Sequence, residues 1–444
     1  MLTYTKIATV TVGSGGSSTM SFSNIPQTFT DLCLKFSVRT NDAGTDDILL
    51  ATVNSLTSGY SNRILYGNGS TAGSLSNGYS TAKAFVGYVD GNGSTASTFG
   101  NGETYFPDYS SSNYKSWSSD SVNERNSASI VEGLAAGLLS NTAAISSLSL
   151  VSNAGATILE FSTATLYGIG YKPQATGGSI SNDGTYWYHA FTSTGLFTPS
   201  KNLQCDVLVV AGGGGGGSSA GGAGGAGGVS IYKTQTLSAS SYNCTVGAGG
   251  TSALAIKGTN GGNSSFGNLT ASVGGGGGAG NLSGNNPGSD GGSGGGGASY
   301  ASTSFAGGTG TSGQGFAGGV GIPDTGGSVG AGGGGGGSTQ VGSTSGVAGG
   351  AGTSLYSTWG ITTLTGQNSS GTYYYAGGGG GSRQSTASPA TGGGLGGGGT
   401  GGLNTTTGTA GTANTGGGGG GAWDQSTAVG GAGGSGVVIV RYKI

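Results

Sequence analysis

The chain holds a single histidine, His189, set inside the aromatic run Tyr186-Trp187-Tyr188-His189-Ala190-Phe191. That disfavours a Ser/His/Asp relay or a histidine-rich zinc site, and the imidazole reads as a packed, hydrogen-bonded structural group. Paired carboxylates are also hard to find. A glycosidase needs two carboxyl groups roughly 5–10 Å apart. Here no glutamate follows Glu160, and the later acids, Asp183, Asp206, Asp290, Asp324 and Asp424, are far apart in sequence. Only the stacking of distant segments would join Asp290 to Asp324. Asn41-Asp42-Ala43-Gly44-Thr45-Asp46-Asp47 gathers carboxylates around a glycine as a calcium loop does. It lacks the spaced bidentate glutamate and reads as a solvated turn. Cys33, Cys205 and Cys244 are an odd set in a long chain, read as free buried thiols, with a Cys205–Cys244 bridge as the alternative. No catalysis, metal or cofactor is expected. The chemistry that remains is recognition by aromatic rings and a few polar groups.

Such groups need a scaffold, and the sequence offers an unusual one. Val207-Leu208-Val209-Val210-Ala211 runs straight into six glycines, and further glycine runs follow at 274–278, 294–297, 332–337, 377–381, 396–399, 416–421 and 433–434. None is followed by Gly-Lys-Ser/Thr, so they are not phosphate loops. Flexible linker is the bland alternative, because ordering each glycine costs about 1–2 kcal/mol of backbone entropy. Linkers, however, do not sit between strongly apolar strand signals or carry scattered Trp, Tyr and Phe. The ordered alternative is a polyproline-II-type glycine helix, with three residues per turn and a rise of ~3.1 Å. It makes no internal hydrogen bonds, so every N–H and C=O must find a neighbouring rod, and glycine alone allows so close an approach. A hexagonal bundle of rods is expected. If each of the eight runs reverses direction, 229–273, 298–331, 382–395 and 422–432 lie at the end far from Val207. Val437-Val438-Ile439-Val440 then returns to pair antiparallel with Val207-Leu208-Val209-Val210.

Ahead of this region the pattern changes. Tyr4 to Val12 alternates, and Leu32, Leu34, Phe36 and Val38 point inward while Cys33, Lys35, Ser37 and Arg39 point outward. Further short strand signals, at 48–53, 63–66, 84–89, 128–131, 144–150 and 157–171, are separated by Gly/Ser/Asn turns. The stretch 134–139 is compatible with one helical turn, weakened by its glycine. Lys172-Pro173 marks a boundary, since proline cannot continue a ladder. Beyond it, 186–191 and 195–198 read as a strand pair. The fold class expected is all-β. An antiparallel, jelly-roll-like β-sandwich over 1–172 is followed, over 173–444, by a glycine-rich domain of packed polyglycine II helices on a small β base.

Glycine supplies 108 of 444 residues and charged residues only 7%. A formal charge of −2 without any Lys/Arg cluster argues against nucleic acid or an anionic membrane as partner. The start, Met-Leu-Thr-Tyr-Thr-Lys, lacks the pattern of a secretory leader, and no apolar run approaches the length of a membrane span. Synthesis in a cytoplasm without a signal peptide is therefore expected. A regular Gly-X-X period, as an ice-binding face requires, is confined to 221–228.

Asp183-Gly184, Tyr188-His189-Ala190-Phe191-Thr192, Leu208-Val209-Val210-Ala211-Gly212, Ala226-Gly227-Gly228 and 434–442 together resemble the glycine-rich domain of bacteriophage tail-fibre and virion proteins. They also resemble the polyglycine-sandwich adhesins at phage fibre tips. The likeness covers roughly 178–444 and is compositional in the middle. It implies a virion protein whose N-terminal domain attaches to other tail or fibre proteins. Its loops between glycine helices would bind a host cell-surface glycan or outer-membrane protein. A homotrimer would be usual for a fibre, though no heptads enforce one. The alternative is a purely structural capsid fibre or decoration. Among far-end segments the candidate receptor-binding residues are Tyr300, Phe305, Phe316, Arg383 and Trp423. With parity inverted they would be Tyr356, Trp359, Tyr373, Tyr374 and Tyr375.

Overall fold

The structure is a computed structural model that describes residues 4–76, 80–123, 130–280, 287–300 (at Tyr300 the backbone only), 303–325, 330–343, 347–385, 392–424 and 426–444. It is nearly all β, and it divides into two compact units, Met1–Lys172 and Pro173–Ile444.

The first unit contains β1 (Tyr4–Thr11), β2 (Met20–Phe22), β3 (Phe29–Val38), β4 (Asp46–Val53), β5 (Tyr60–Gly67), β6 (Ala72–Ser76), β7 (Ala84–Asp90), β8 (Gly100–Phe106), β9 (Lys115–Asn123), β10 (Val131–Leu139), β11 (Leu148–Ser152) and β12 (Thr163–Tyr171). They form an eight-stranded antiparallel sheet, β1-β12-β3-β8-β9-β10-β5-β6, and a four-stranded one, β2-β11-β4-β7. The alternating face of β3 supplies Leu32, Leu34, Phe36 and Val38 to a core shared with Leu49, Ala51, Val53, Val86, Leu148 and Leu150 of the smaller sheet. The sandwich is thus unequal.

Three expectations about this unit need correction. The 134–139 stretch is strand, not helix: β10 bonds to β9 and β5 along its length, and tertiary pairing overrides the helix propensity of Leu and Ala. Cys33 and Arg39, expected outward, are buried. Cys33 is flanked in register by Tyr167 and Tyr105, and burial raises its thiol to about 11. Arg39 is wrapped by the 92–98 loop, donating to the carbonyls of Thr95 (2.7 Å), Thr98 (3.0 Å) and Ser94 (3.1 Å). The carboxylates of the 41–47 turn do not converge. Asp47 accepts from Thr40 Oγ1 (2.9 Å) and Ser152 Oγ (2.6 Å), and Asp42 from Gly44 N–H. Among the described residues no group of three or more His, Cys, Asp or Glu could hold a metal ion.

The second unit begins with β13 (Ala175–Thr176), β14 (Ser179–Asn182), β15 (Tyr186–Phe191), β16 (Gly195–Pro199), β17 (Leu203–Val210), β18 (Val229–Leu237), β19 (Tyr242–Thr245) and β20 (Ser265–Phe266). Later come β21 (Ser299–Tyr300), β22 (Thr303–Ser304), α1 (Ser357–Thr363), β23 (Gln367–Ser369), β24 (Thr372–Tyr374) and β25 (Val437–Lys443). The base is a five-stranded sheet, β14-β15-β25-β17-β18, in which Val207 pairs with Val440 and Val210 with Val437, antiparallel. β15 and β16, expected to pair, belong to different sheets; β16 bonds to β13 and β19. All three cysteines are free and buried.

Above the base stands a lattice. Its rule is visible in 211–217, whose amides donate in strict threefold rotation. Ala211, Gly214 and Gly217 reach Gly228, Gly225 and Gly222; Gly212 and Gly215 reach Gly262 and Thr259; Gly213 and Gly216 reach Gly434 and Gly431, all at 2.8–3.0 Å. The same rotation holds for 221–228, which donates to 416–422, 273–279 and 331–337 and accepts from 211–217, 292–298 and 376–382. Six neighbours around one rod is hexagonal packing, and each rod is a threefold helix with no bonds to itself. Every residue from 211 to 228 is buried. Where a rod lacks a backbone neighbour, side chains substitute: Asn263 Oδ1 and Asn260 Oδ1, three residues apart, accept from Gly274 N–H (2.8 Å) and Gly277 N–H (2.9 Å).

Candidate functional site

The lattice has two unlike ends, and the hydrogen-bond register assigns each segment to one. The 211–217 rod leaves the base and 221–228 returns to it, where Val229 opens β18. That return was missed by counting pure glycine runs, because Ala223 and Ala226 interrupt it. Consequently 229–246 and 264–272 lie at the base, with 253–257 alone reaching the far end, and the expectation that all of 229–273 lies far from Val207 is overturned. The 311–314 turn likewise returns to the base, where Gln314 Oε1 accepts from Val273 N–H (2.8 Å). Phe316, two residues on, therefore sits toward the base and not at the far end, although it is 45% exposed. Mixed segments with glycine at every third position complete rods just as pure runs do. Gly408 and Gly411 in 407–412, for example, donate to Val429 and Ala432.

The other candidates lie at the far end. Ala220 N–H donates to Trp423 O (2.7 Å), Ser299 N–H to Ala220 O (3.2 Å) and Gln384 N–H to Gly330 O (3.1 Å). Arg383 N–H donates to Gly402 O (3.0 Å) and Asn404 N–H to Arg383 O (2.8 Å). With Asp424 N–H donating to Asn404 O (3.2 Å), one continuous net joins turns from six distant parts of the chain. Over it, side chains gather around Gly330: a Cβ there would lie 2.5 Å from Trp423 Cη2, 3.2 Å from Asp324 Cβ and 3.4 Å from Ser299 Oγ. Ser299 Oγ and Arg383 Nε are buried without a hydrogen-bond partner among the described residues. Phe305 starts a returning rod at this end, its carbonyl accepting from Gly321 N–H (3.0 Å). Tyr300 lies in β21, also at this end, but its side chain is outside the described residues. Asp424 is held down to about 2, chiefly by hydrogen bonds from Thr427 and Ser426. Burial lowers Lys257, with Asp290 opposing. Sequence reasoning missed Asp324, Gln384 and Ser299, which are scattered polar residues in loops with no local signal.

The alternative aromatic set lies at the base. Trp359 packs edge-on against Tyr188 (6.0 Å between centroids), and Tyr375 is fully buried with its hydroxyl near Thr365 Oγ1 (2.9 Å). Arg441 stacks between Tyr186 and Trp359, 4.4 Å from each centroid, while its guanidinium binds Asp206 (2.9 and 3.1 Å). These rings close the space between sheet and lattice. His189 lies in the base too, completely buried, with Nδ1 on Gly177 O (2.7 Å) and Nε2 on Tyr442 Oη (3.1 Å).

Residues 192–443 match the family described as "Glycine-rich domain", a span that takes in the lattice and its closing strand. The chain belongs to that glycine-rich domain family. The matched span runs from the end of β15 to the end of β25, so the sheet closure and the lattice fall within one family unit. No curated protein and no solved structure matches the chain.

Proposed function

We propose that the chain is a bacteriophage fibre or adhesin that joins the particle through residues 1–172 and binds a host surface glycan or outer-membrane protein through the far end of the glycine lattice. Its place is on the virion, and it works by binding and not by catalysis. The observation that carries this reading is the net that holds Trp423, Gln384 and Arg383 at one end on turns from separate rods, with exposed Asp324 beside Trp423 at Gly330. A rigid scaffold presenting a ring, a carboxylate, an amide and a guanidinium in fixed positions is suited to recognition, because little side-chain or loop entropy is left to lose on binding. Chain entry supports the polarity, since Gln174 N–H binds Tyr442 Oη at the base. The opposite end is therefore free of the linker. Phe316, toward the base, is an internal control.

Purified protein should label one bacterial strain and block infection of it by the parent phage. Trp423→Ala, Arg383→Ala and Phe305→Ala should each weaken labelling about tenfold or more without changing the melting temperature, while Phe316→Ala should leave it intact. Loss of binding in Phe316→Ala alone would reverse the assignment of ends. Incorporation into particles without labelling of any host would favour the purely structural reading.

A further inference from the structure

The first unit carries a surface that the reading above does not use. On the outward face of the eight-stranded sheet, near its β6 edge, register places Asp120, Leu134, Leu65 and Ser74 in one row across β9, β10, β5 and β6. The next row holds Ser118, Ala136, Arg63 and Ser76, and the row on the other side Val122, Glu132, Gly67 and Ala72. Leu65 is 61% exposed, Leu134 52% and Leu138 38%. Leu65 and Leu134, cross-strand neighbours on the solvent face with Leu138 four residues further along β10, are not the scattered single apolar residues that need no explanation. Beside them is a groove of about 400 Å³ lined by Arg63, Leu65, Ser74, Ser76, Leu134 and Ala136, hollow because Ser74, Ser76 and Ala136 are short.

We propose that this face is a docking surface for a second copy of the chain, related to the first by a two-fold axis. Two features point to the same chain as occupant. Protruding leucines lie next to a groove that can receive them, so the face carries both halves of a fit, as an isologous interface requires. Charge is self-complementary as well: Glu132 and Arg63 stand on opposite sides of the leucine row and on adjacent strands, and neither has an ion-pair partner among the described residues. An axis through the Leu134–Leu65 row, with the two sheets crossed, brings Glu132 of one copy toward Arg63 of the other, twice. A partner of single-sign charge would leave one of the two unpaired. Orthogonal sheet packing is an established geometry for two such faces.

Sedimentation of the full chain across a concentration series tests this. The wild type should sediment as a dimer at micromolar concentration, and Leu65→Glu combined with Leu134→Glu should be monomeric. Arg63→Glu and Glu132→Arg should each raise the dissociation constant about tenfold or more, and the double charge swap should restore association. Ala136→Arg, which fills the groove from an exposed position, gives the same loss independently, with unchanged melting by circular dichroism as the folding check. A monomeric wild type, a trimer, an oligomer indifferent to these changes, or a charge swap that does not restore pairing would each overturn the proposal.

Discussion

His189 shows what a titratable residue does in a chain with so few. Its ring is fully buried, bonded to Gly177 O and Tyr442 Oη and packed edge-on against Phe197 at 5.1 Å. Burial lowers its pKa below the ordinary 6.5, outweighing the opposing hydrogen bond that Nδ1–H donates to the Gly177 carbonyl. The unfolded chain then binds a proton at a higher pH than the folded one, so stability falls as pH drops below about 6.5 and stops falling once pH is under the folded value. The melting temperature of the second unit should decline between pH 7 and pH 5, and His189→Gln should flatten that decline. A profile identical in both proteins would mean that other groups carry the pH dependence. A lone histidine in an aromatic strand was legible as structural, but its bond to Tyr442 was not, because the two residues are 253 positions apart.

At the scale of the element, the glycine helix has no meaning alone. Its stability is entirely in its neighbours, and each net hydrogen bond contributes only about 1 kcal/mol. Close approach is what glycine makes available: a Cβ at Gly214, Gly276, Gly334 or Gly418 would fall inside contact distance of the carbonyl oxygen of Gly276, Ser289, Ala348 or Gly224 respectively. Gly214→Val, Gly276→Val, Gly334→Val and Gly418→Val should each destabilise by about 3 kcal/mol or more, a fall of roughly 5 °C or more in melting temperature. Ala432→Val, on an exposed position of an outer rod, should be close to neutral. Unchanged melting in the glycine variants would show that the rods do not pack backbone to backbone. Alanine at 223 and 226 marks where a methyl does fit, and those two side chains, fully buried, are what disguised a rod as an irregular segment.

For the whole molecule, the division at Lys172–Pro173 follows from two incompatible ways of burying backbone. The first unit fills a sandwich with alternating apolar side chains, and the second fills a lattice with main chain. Neither requires the other's type of packing. Expressed separately, 1–172 and 173–444 should each fold and melt cooperatively by circular dichroism; an unfolded 1–172 would show that its core depends on the glycine-rich part.

The sequence alone determined the elements with a short period. Alternation marked β3 and β1, and the apolar runs at 207–210 and 437–440 marked the two strands that close the base, because a side-chain period of two and a fully apolar run depend on local chemistry. It also determined that the glycine runs must pack on one another, since a helix without internal bonds has to find partners. Tertiary structure decided which end of the lattice each turn occupies. Glycine has no side chain to encode a neighbour, so a rod's place is set by the net of N–H···O bonds to six others, most of them remote in sequence. The same reason put Phe316 toward the base and brought Asp324, Ser299 and Gln384 to Trp423 with no local sign in the chain.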